Sequence, residues 1–317
     1  MSKRIAIIGC GAIGSLYAAH LARRSDSVWV FTRRPEHAAA LNARGLRVSG
    51  THEFEARVRA TSEPEDLPEF DFGIVATKAL QTQEAFAPVA RKFDRGAVLS
   101  AQNGLGGEEI LAGLTKGFVI RGTTFMSGTR HSDTHVQYEL DTPTWMGPFE
   151  PAHTPFSLVE ELAGLLTAGG LKAIALQDAR PAQWSKLLFN AAVNGVSALS
   201  GLPHSREFAD RSRPESLGTL LFELLEEGKR VAAALGIALH DDPWQMNLIG
   251  AQTDHSTSML HDVQQRRPTE VEFLAGAVAR QAACVGVPAP LHTAIYQLVK
   301  AREASWAAGS SAGNGGH

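Results

Sequence analysis

The sequence predicts an α/β protein: an N-terminal part built on a mostly parallel sheet with helices, followed by an all-α C-terminal part. Three observations carry this. Short, wholly apolar runs of strand length alternate with helix-like stretches up to about residue 178, the first run breaks into three closely spaced glycines, and strand patterning stops at Arg180-Pro181. With 317 residues and 44% apolar content, the chain is long enough for two domains. They are expected at 1–178 and 179–308, with a small, glycine-rich tail at 309–317 that should be disordered.

The first strand is Ile5-Ala6-Ile7-Ile8, apolar throughout, as suits a strand buried on both faces of a parallel sheet. Gly9-Cys10-Gly11-Ala12-Ile13-Gly14 follows, and the chain resumes as an apolar, alanine-rich helix. In this context the glycines divide three tasks: a tight turn, close approach of backbone to a pyrophosphate, and close packing of helix on strand. The N–H groups and positive dipole end of the helix would face the phosphates. An ordinary tight turn is the alternative; the strand before and the helix after favour dinucleotide binding.

Val28-Trp29-Val30-Phe31 is the second strand, ending in Thr32-Arg33-Arg34-Pro35. An acid about 20 residues beyond the glycines would bind the ribose 2′-hydroxyl of NAD, whereas an arginine there accepts the 2′-phosphate of NADP. No acid stands in that window. Arg33 and Arg34 are either solvated loop cations or phosphate ligands, and two adjacent guanidiniums favour the phosphate, hence NADP(H). A helix over 36–44 and short strands at 46–49 and 53–59 come next.

Phe72 to Thr77 is another buried strand with Lys78 at its end, and Ala97 to Ser100 runs into Gln102-Asn103-Gly104. Ligands of open α/β sheets sit outside the carboxyl ends of strands, so Lys78 and Asn103 are placed to meet one. From Phe118 to Gly147 the β-type segments 118–120, 135–138 and 144–146 suggest antiparallel strands added to the sheet. His131 and His135 read as loop histidines, not zinc ligands, because no further ligands follow at metal-site spacing. A helix over 154–167 and a strand over 171–176 close this part. Helices are then expected at 181–199, 214–235, 243–250, 270–285 and 291–302.

Composition narrows the function. A net charge of −3 predicts no general attraction to nucleic acid or anionic membrane. No apolar run approaches the roughly 20 residues that span a bilayer, and the charged start leads straight into a strand, so the cytoplasm is expected. Cys10 and Cys284 are far apart in sequence and are expected to pack as small apolar residues.

The chemistry concentrates on the first C-terminal helix. Lys186, Asn190 and Asn194 are four apart, so they share one face of a helix that is otherwise almost wholly apolar. A solvent-facing polar stripe is one reading; a lysine and two amides lining a cleft is the favoured one. A buried lysine has a shifted pKa and serves as proton donor, which with a nicotinamide cofactor suggests reduction of a carbonyl. Further on, Thr269 and Glu272 form an S/T-x-x-E capping box. Glu270 lacks that structural role, and spacing alone leaves it open.

Together these motifs resemble the ketopantoate reductases, NADPH-dependent 2-dehydropantoate 2-reductases. The matching pieces are Gly9 to Gly14, Arg33, Thr77-Lys78, Gln102-Asn103-Gly104, Trp184 to Asn194, Ser258-Met259-Leu260 and Thr269-Glu270, in the family's order. The resemblance implies a Rossmann-type domain, a helical domain and an active site in the cleft between them. It implies Lys186 as proton donor, with Asn190, Asn194 and Ser258 on substrate and Asn103 near substrate and nicotinamide. It also implies Gly9, Cys10, Gly11, Ala12, Ile13, Gly14, Arg33 and Lys78 on the cofactor, and Glu270 beside ribose and lysine. The implied reaction makes pantoate from 2-dehydropantoate on the route to pantothenate, and the partners expected are a small 2-oxo acid and a homodimer mate.

Two stretches depart from the family. Phe125-Met126-Ser127-Gly128 replaces a small-residue or His-containing stretch, and a polar position after the lysine helix shifts to Pro203-His204. Both bear on the substrate, so a reductase of another small branched 2-oxo acid is the alternative. An NADP-binding sensor without catalysis has less to favour it, since a sensor needs no proton donor.

Overall fold

The computed structural model describes residues 3–23 and 27–311. The chain divides into two compact units, one comprising the chain up to Gln102 together with Gly106–Ala179, the other Asn103–Leu105 with everything from Arg180 onward.

In the first unit β1 (Arg4–Ile8) leads into α1 (Ala12–Ala22), β2 (Ser27–Phe31), α2 (Pro35–Arg44), β3 (Leu46–Gly50), β4 (Phe54–Ala56) and β5 (Arg59–Thr61). Then come β6 (Phe72–Val75), α3 (Thr82–Phe86), β7 (Ala97–Ser100), α4 (Gly107–Leu114) and β8 (Phe118–Thr124). The unit ends with β9 (Ser127–Ser132), β10 (His135–Leu140), β11 (Thr144–Pro148), α5 (Phe156–Ala168) and β12 (Ala173–Ala175).

Eight strands form one sheet in the order β12-β11-β8-β7-β6-β1-β2-β5. From β5 across to β8 every pairing is parallel; β11 runs antiparallel to β8. The order reverses between β1 and β6, which is where a doubly wound sheet opens its binding crevice. Both faces of β1 are covered: Ile5 and Ile7 join one hydrophobic cluster, Ala6 and Ile8 the other. That double burial is why the strand carries no alternation.

Several expectations need correction. The strand expected over 53–59 is two, β4 and β5, and they belong to different sheets. The segment at 135–138 is not added to the main sheet: β10 joins a separate four-stranded sheet, β4-β3-β10-β9, by pairing parallel with β3. His131 and His135 are strand residues on β9 and β10, not loop residues. Their side chains are taken up locally, His131 Nε2 at 2.9 Å from Gln137 Oε1 and His135 Nε2 at 2.8 Å from Ser49 Oγ. The unusual Phe125–Gly128 stretch is the entry to β9, with Met126 buried and Gly128 paired to Tyr138. Cys10 is buried as expected, but Cys284 is exposed.

The second unit contains α6 (Arg180–Ser200), α7 (Leu217–Ala234), α8 (Pro243–Gly250), α9 (Ser258–Gln264), α10 (Ala275–Cys284) and α11 (Pro290–Ser311). They surround one cluster that includes Leu187, Leu188, Leu224, Val278 and Val299. The helix expected over 270–285 starts instead as a 3-10 turn, Glu270–Phe273, and becomes α-helical only at Ala275. Only half of the capping box forms: Thr269 is the N-cap and accepts from Val271 N–H at 3.4 Å, but Glu272 is engaged elsewhere. Thr269 N–H and Oγ1 both donate to Glu303 Oε1 on α11, at 2.8 and 2.6 Å, while Glu272 pairs with Arg280 and accepts from Tyr296 OH at 2.6 Å. Helix α11 runs three residues into the tail expected from 309; residues 312–317 lie outside the described ones. Among the described residues, no helix is long and apolar enough to cross a membrane, and no three His, Cys, Asp or Glu side chains gather as a metal site.

Candidate active site

In the first unit, the carboxyl ends of β1, β6 and β7 converge. Gly9 has φ +91°, and a Cβ there would lie 2.5 Å from Thr77 Cγ2, so the turn presses directly on the end of β6. At Gly14 a Cβ would come 1.9 Å from Gly9 O, which only glycine avoids while α1 lies this close to β1. Gly11 differs: a Cβ there meets nothing within 4 Å. Gly11 is also the N-cap of α1 and brings no side-chain cap, so the first N–H groups of the helix are left for another acceptor. The turn thus has two glycines required by packing and one facing open space, which fits a pyrophosphate cradle.

Cys10 sits within this turn, its Sγ 3.2 Å from Ser15 Oγ, and burial pushes its thiol up to about 11, so it stays protonated. Ala12 and Ile13 form the first turn of α1. Gln102, just past β7, donates Nε2 to Thr77 O, Thr77 Oγ1 and Thr82 Oγ1 at 3.1, 3.0 and 2.6 Å, tying two strand ends together. Its Oε1 is buried and has no protein partner among the described residues. Lys78 is half-buried at the start of the short 3-10 turn after β6.

Arg33 and Arg34 follow β2. Both are about half exposed, and each meets a carboxylate from another segment, Arg33 that of Glu84 and Arg34 that of Asp133. Exposed pairs of this kind contribute about 0–1 kcal/mol, so neither guanidinium is locked.

The second unit holds the lysine. Lys186 on α6 donates from Nζ to Asn103 Oδ1 at 2.8 Å. That bond orients the Asn103 amide, leaving Nδ2 as a donor. Burial pushes the Lys186 ammonium down to about 8, and the negative charge of Glu270 acts in the opposite direction. Asn190 and Asn194 continue the same face, 9% and 7% exposed.

Three segments are strapped together around this face. Leu105 N–H donates to Phe273 O at 3.0 Å, and Gln183 Nε2 on α6 donates to Gly104 O at 3.3 Å. Gly104 takes φ +87°, and a Cβ there would lie 2.1 Å from Phe273 O. The loop carrying Asn103 is therefore pressed onto the 3-10 turn carrying Glu270, itself held by Glu303 through Thr269. Sequence reading missed Gln183, Phe273 and Glu303, because each acts through a contact distant in sequence. Ser258 begins α9 and is exposed. Thr257, its N-cap, donates Oγ1 to Ser197 Oγ at 3.2 Å, which places Ser258 close to α6 about one turn beyond Asn194.

The chain is similar to proteins of known family. Two family profiles match the chain, "Ketopantoate reductase PanE/ApbA" over residues 5–151 and "Ketopantoate reductase PanE/ApbA C terminal" over 178–303. The 2-dehydropantoate 2-reductase of Archaeoglobus fulgidus is 31% identical over 302 residues, covering 95% of this chain and 98% of that protein. A PanE/ApbA family ketopantoate reductase from Ralstonia eutropha superposes with a TM-score of 0.83 at 27% identity, covering 95% of this chain and 99% of the other. A D-mandelate dehydrogenase solved with NADH and anilino(oxo)acetate shares the fold, with a TM-score of 0.82 at 23% identity, covering 95% and 99%.

Proposed function

The chain belongs to the ketopantoate reductase family, and on that premise we propose that it reduces 2-dehydropantoate to pantoate with NADPH, Lys186 donating the proton. One observation carries the reading: a lysine with a depressed pKa, bonded to Asn103, shares a helix face with two buried amides, Asn190 and Asn194.

The residues present fit a dinucleotide. The open approach at Gly11, the uncapped start of α1 and the orphaned Gln102 Oε1 all suit a bound polar group. When bound, the nicotinamide supplies a hydride to the keto carbon. The chain's own residues do the rest. Asn190, Asn194 and Ser258 hold the polar groups of the 2-oxo acid, and Asn103 holds Lys186 by its Nζ while offering Nδ2 to the reaction. As the carbonyl oxygen gains charge, Lys186 Nζ gives it a proton and becomes a neutral amine. Glu270 keeps a negative charge near that amine and favours its reprotonation. Arg33 leaves Glu84 for the 2′-phosphate, a stronger, doubly charged acceptor. Lys78 adds a second cation.

A steady-state panel tests this: NADPH and NADH against 2-dehydropantoate, other branched 2-oxo acids and an aryl 2-oxo acid. We expect the highest kcat/KM with 2-dehydropantoate and NADPH, and an Arg33→Ala variant that loses about tenfold in kcat/KM for NADPH but little for NADH. No preference for 2-dehydropantoate would assign the chain to another small 2-oxo acid, and the absence of any turnover would leave a dinucleotide-binding protein without catalysis.

A further inference from the structure

His204 has no exposed surface although it lies in the irregular stretch after α6, and its surroundings fix its tautomer. Asn247 on α8 donates Nδ2 to Phe208 O at 2.9 Å, which turns Oδ1 toward His204 Nε2 at 2.8 Å. An amide oxygen only accepts, so His204 Nε2 carries the proton and Nδ1 presents a lone pair. Burial pushes the ring down to about 4, so it is neutral near pH 7 and keeps that tautomer. The Nδ1 lone pair faces His255 Nε2 at 3.4 Å, and His255 Nδ1 lies 3.2 Å from Thr253 O, a second acceptor, so a neutral His255 ring donates to one of the two at a time.

The two residues are joined by backbone as well. His204 N–H donates to His255 O at 2.9 Å and His255 N–H to His204 O at 3.1 Å, a two-bond antiparallel bridge. The end of α8 closes on the ring, since a Cβ at Gly250 would come 2.7 Å from His204 Cε1. On its other side His204 meets the Phe189 ring edge-on, with centroids 5.7 Å apart, and Phe189 lies on α6 between Lys186 and Asn190. Three residues beyond His255 is Ser258.

We propose that His204 is a positioning residue: as a fixed acceptor for His255 it pins the segment 253–257 and thereby sets where Ser258 meets a 2-oxo acid lying along the Lys186–Asn194 face. It takes no part in proton or hydride transfer. The proposal rests on Ser258 as a substrate contact, so its test needs one arm that does not depend on turnover.

The test uses the full chain with His255→Phe, His204→Phe and His204→Gln. His255 is exposed, so the first variant keeps the proposal open to refutation even where His204→Phe fails to fold. In His255→Phe, amide hydrogen exchange over 253–258 should quicken, and KM for 2-dehydropantoate should rise about five- to tenfold, with kcat and the KM for NADPH little changed. His204→Gln, which offers a donor and an acceptor from one amide, should recover part of the loss suffered by His204→Phe. Unchanged exchange overturns the proposal, as does faster exchange with an unchanged substrate KM, or an equal rise in both KM values. If the wild-type chain reduces no 2-oxo acid, the proposed function fails, while exchange in His255→Phe still decides whether the histidine pair holds the segment.

Discussion

Lys186→Ala is expected to lower kcat for the 2-oxo acid by about 10²- to 10⁴-fold, the usual contribution of a positioned general acid, with NADPH affinity nearly unchanged. The asymmetry is the informative part. Lys186 stands on α6 in the second unit, whereas the glycine turn that we assign to the dinucleotide lies at the end of β1 in the first. Truncation should leave Asn103 without its 2.8 Å lysine partner, but the loop remains strapped by Leu105 to Phe273 O and by Gln183 to Gly104 O. The site should therefore keep its shape and lose its proton. Fluorescence titration with NADPH beside steady-state turnover checks both halves, and a turnover loss below tenfold would remove Lys186 from the chemistry.

The second large effect separates two glycines of one motif. Gly14→Ala forces a Cβ to within 1.9 Å of Gly9 O and 3.4 Å of Ala76 Cβ, so α1 must move off the sheet. Overpacking of this kind costs about 1–3 kcal/mol and should lower the melting temperature of the first unit by roughly 2–4 °C per kcal/mol. Gly11→Ala meets nothing within 4 Å and should leave the melting temperature in place. Its added methyl stands where the backbone has to approach the pyrophosphate, so NADPH affinity should fall at least tenfold, by about 1.4 kcal/mol or more. Calorimetry with and without NADPH on the two variants distinguishes these outcomes. Equal effects on stability in both would mean that Gly11 serves packing alone.

The contrast also shows what was legible in the sequence. The order of β1, α1, β2, β6 and β7 could be read because the strands show as short, largely apolar runs, with β1, β6 and β7 almost wholly buried; β8, expected from segment 118–120 to be antiparallel, pairs parallel with β7. Lys186, Asn190 and Asn194 could be read because helical spacing puts three polar residues on one side of an apolar helix. By contrast β9, Ser-Gly-Thr-Arg-His-Ser, carries no apolar alternation: it is an edge strand with four exposed residues, and only its pairing with β10 makes it a strand. The second sheet depends on β3 pairing parallel with β10 across more than eighty residues, which no local pattern encodes.

The corrections at the site have the same cause. The capping box offered Glu272 a local role, yet Glu303 takes Thr269 from another helix, and Glu272 turns to Arg280 and Tyr296. Asn103 to Leu105 follow β7 in sequence but belong to the second unit by their contacts. His204 was visible only as a departure from the family pattern; its fixed tautomer follows from the Asn247 amide, which Phe208 O orients.

The pH dependence of turnover in both directions tests Lys186 as the proton donor most directly. Reduction needs the ammonium, and with its pKa near 8, kcat/KM for the 2-oxo acid should be level below that value and fall about tenfold per pH unit above it. Oxidation of the 2-hydroxy acid needs the free amine, so it should rise toward pH 8 and level off beyond. Removing the Glu270 charge in Glu270→Gln withdraws the influence that raises the lysine's pKa, so both limbs should shift to lower pH. An alkaline limb that is absent, or that stays fixed in Glu270→Gln and persists in Lys186→Ala, would contradict the assignment.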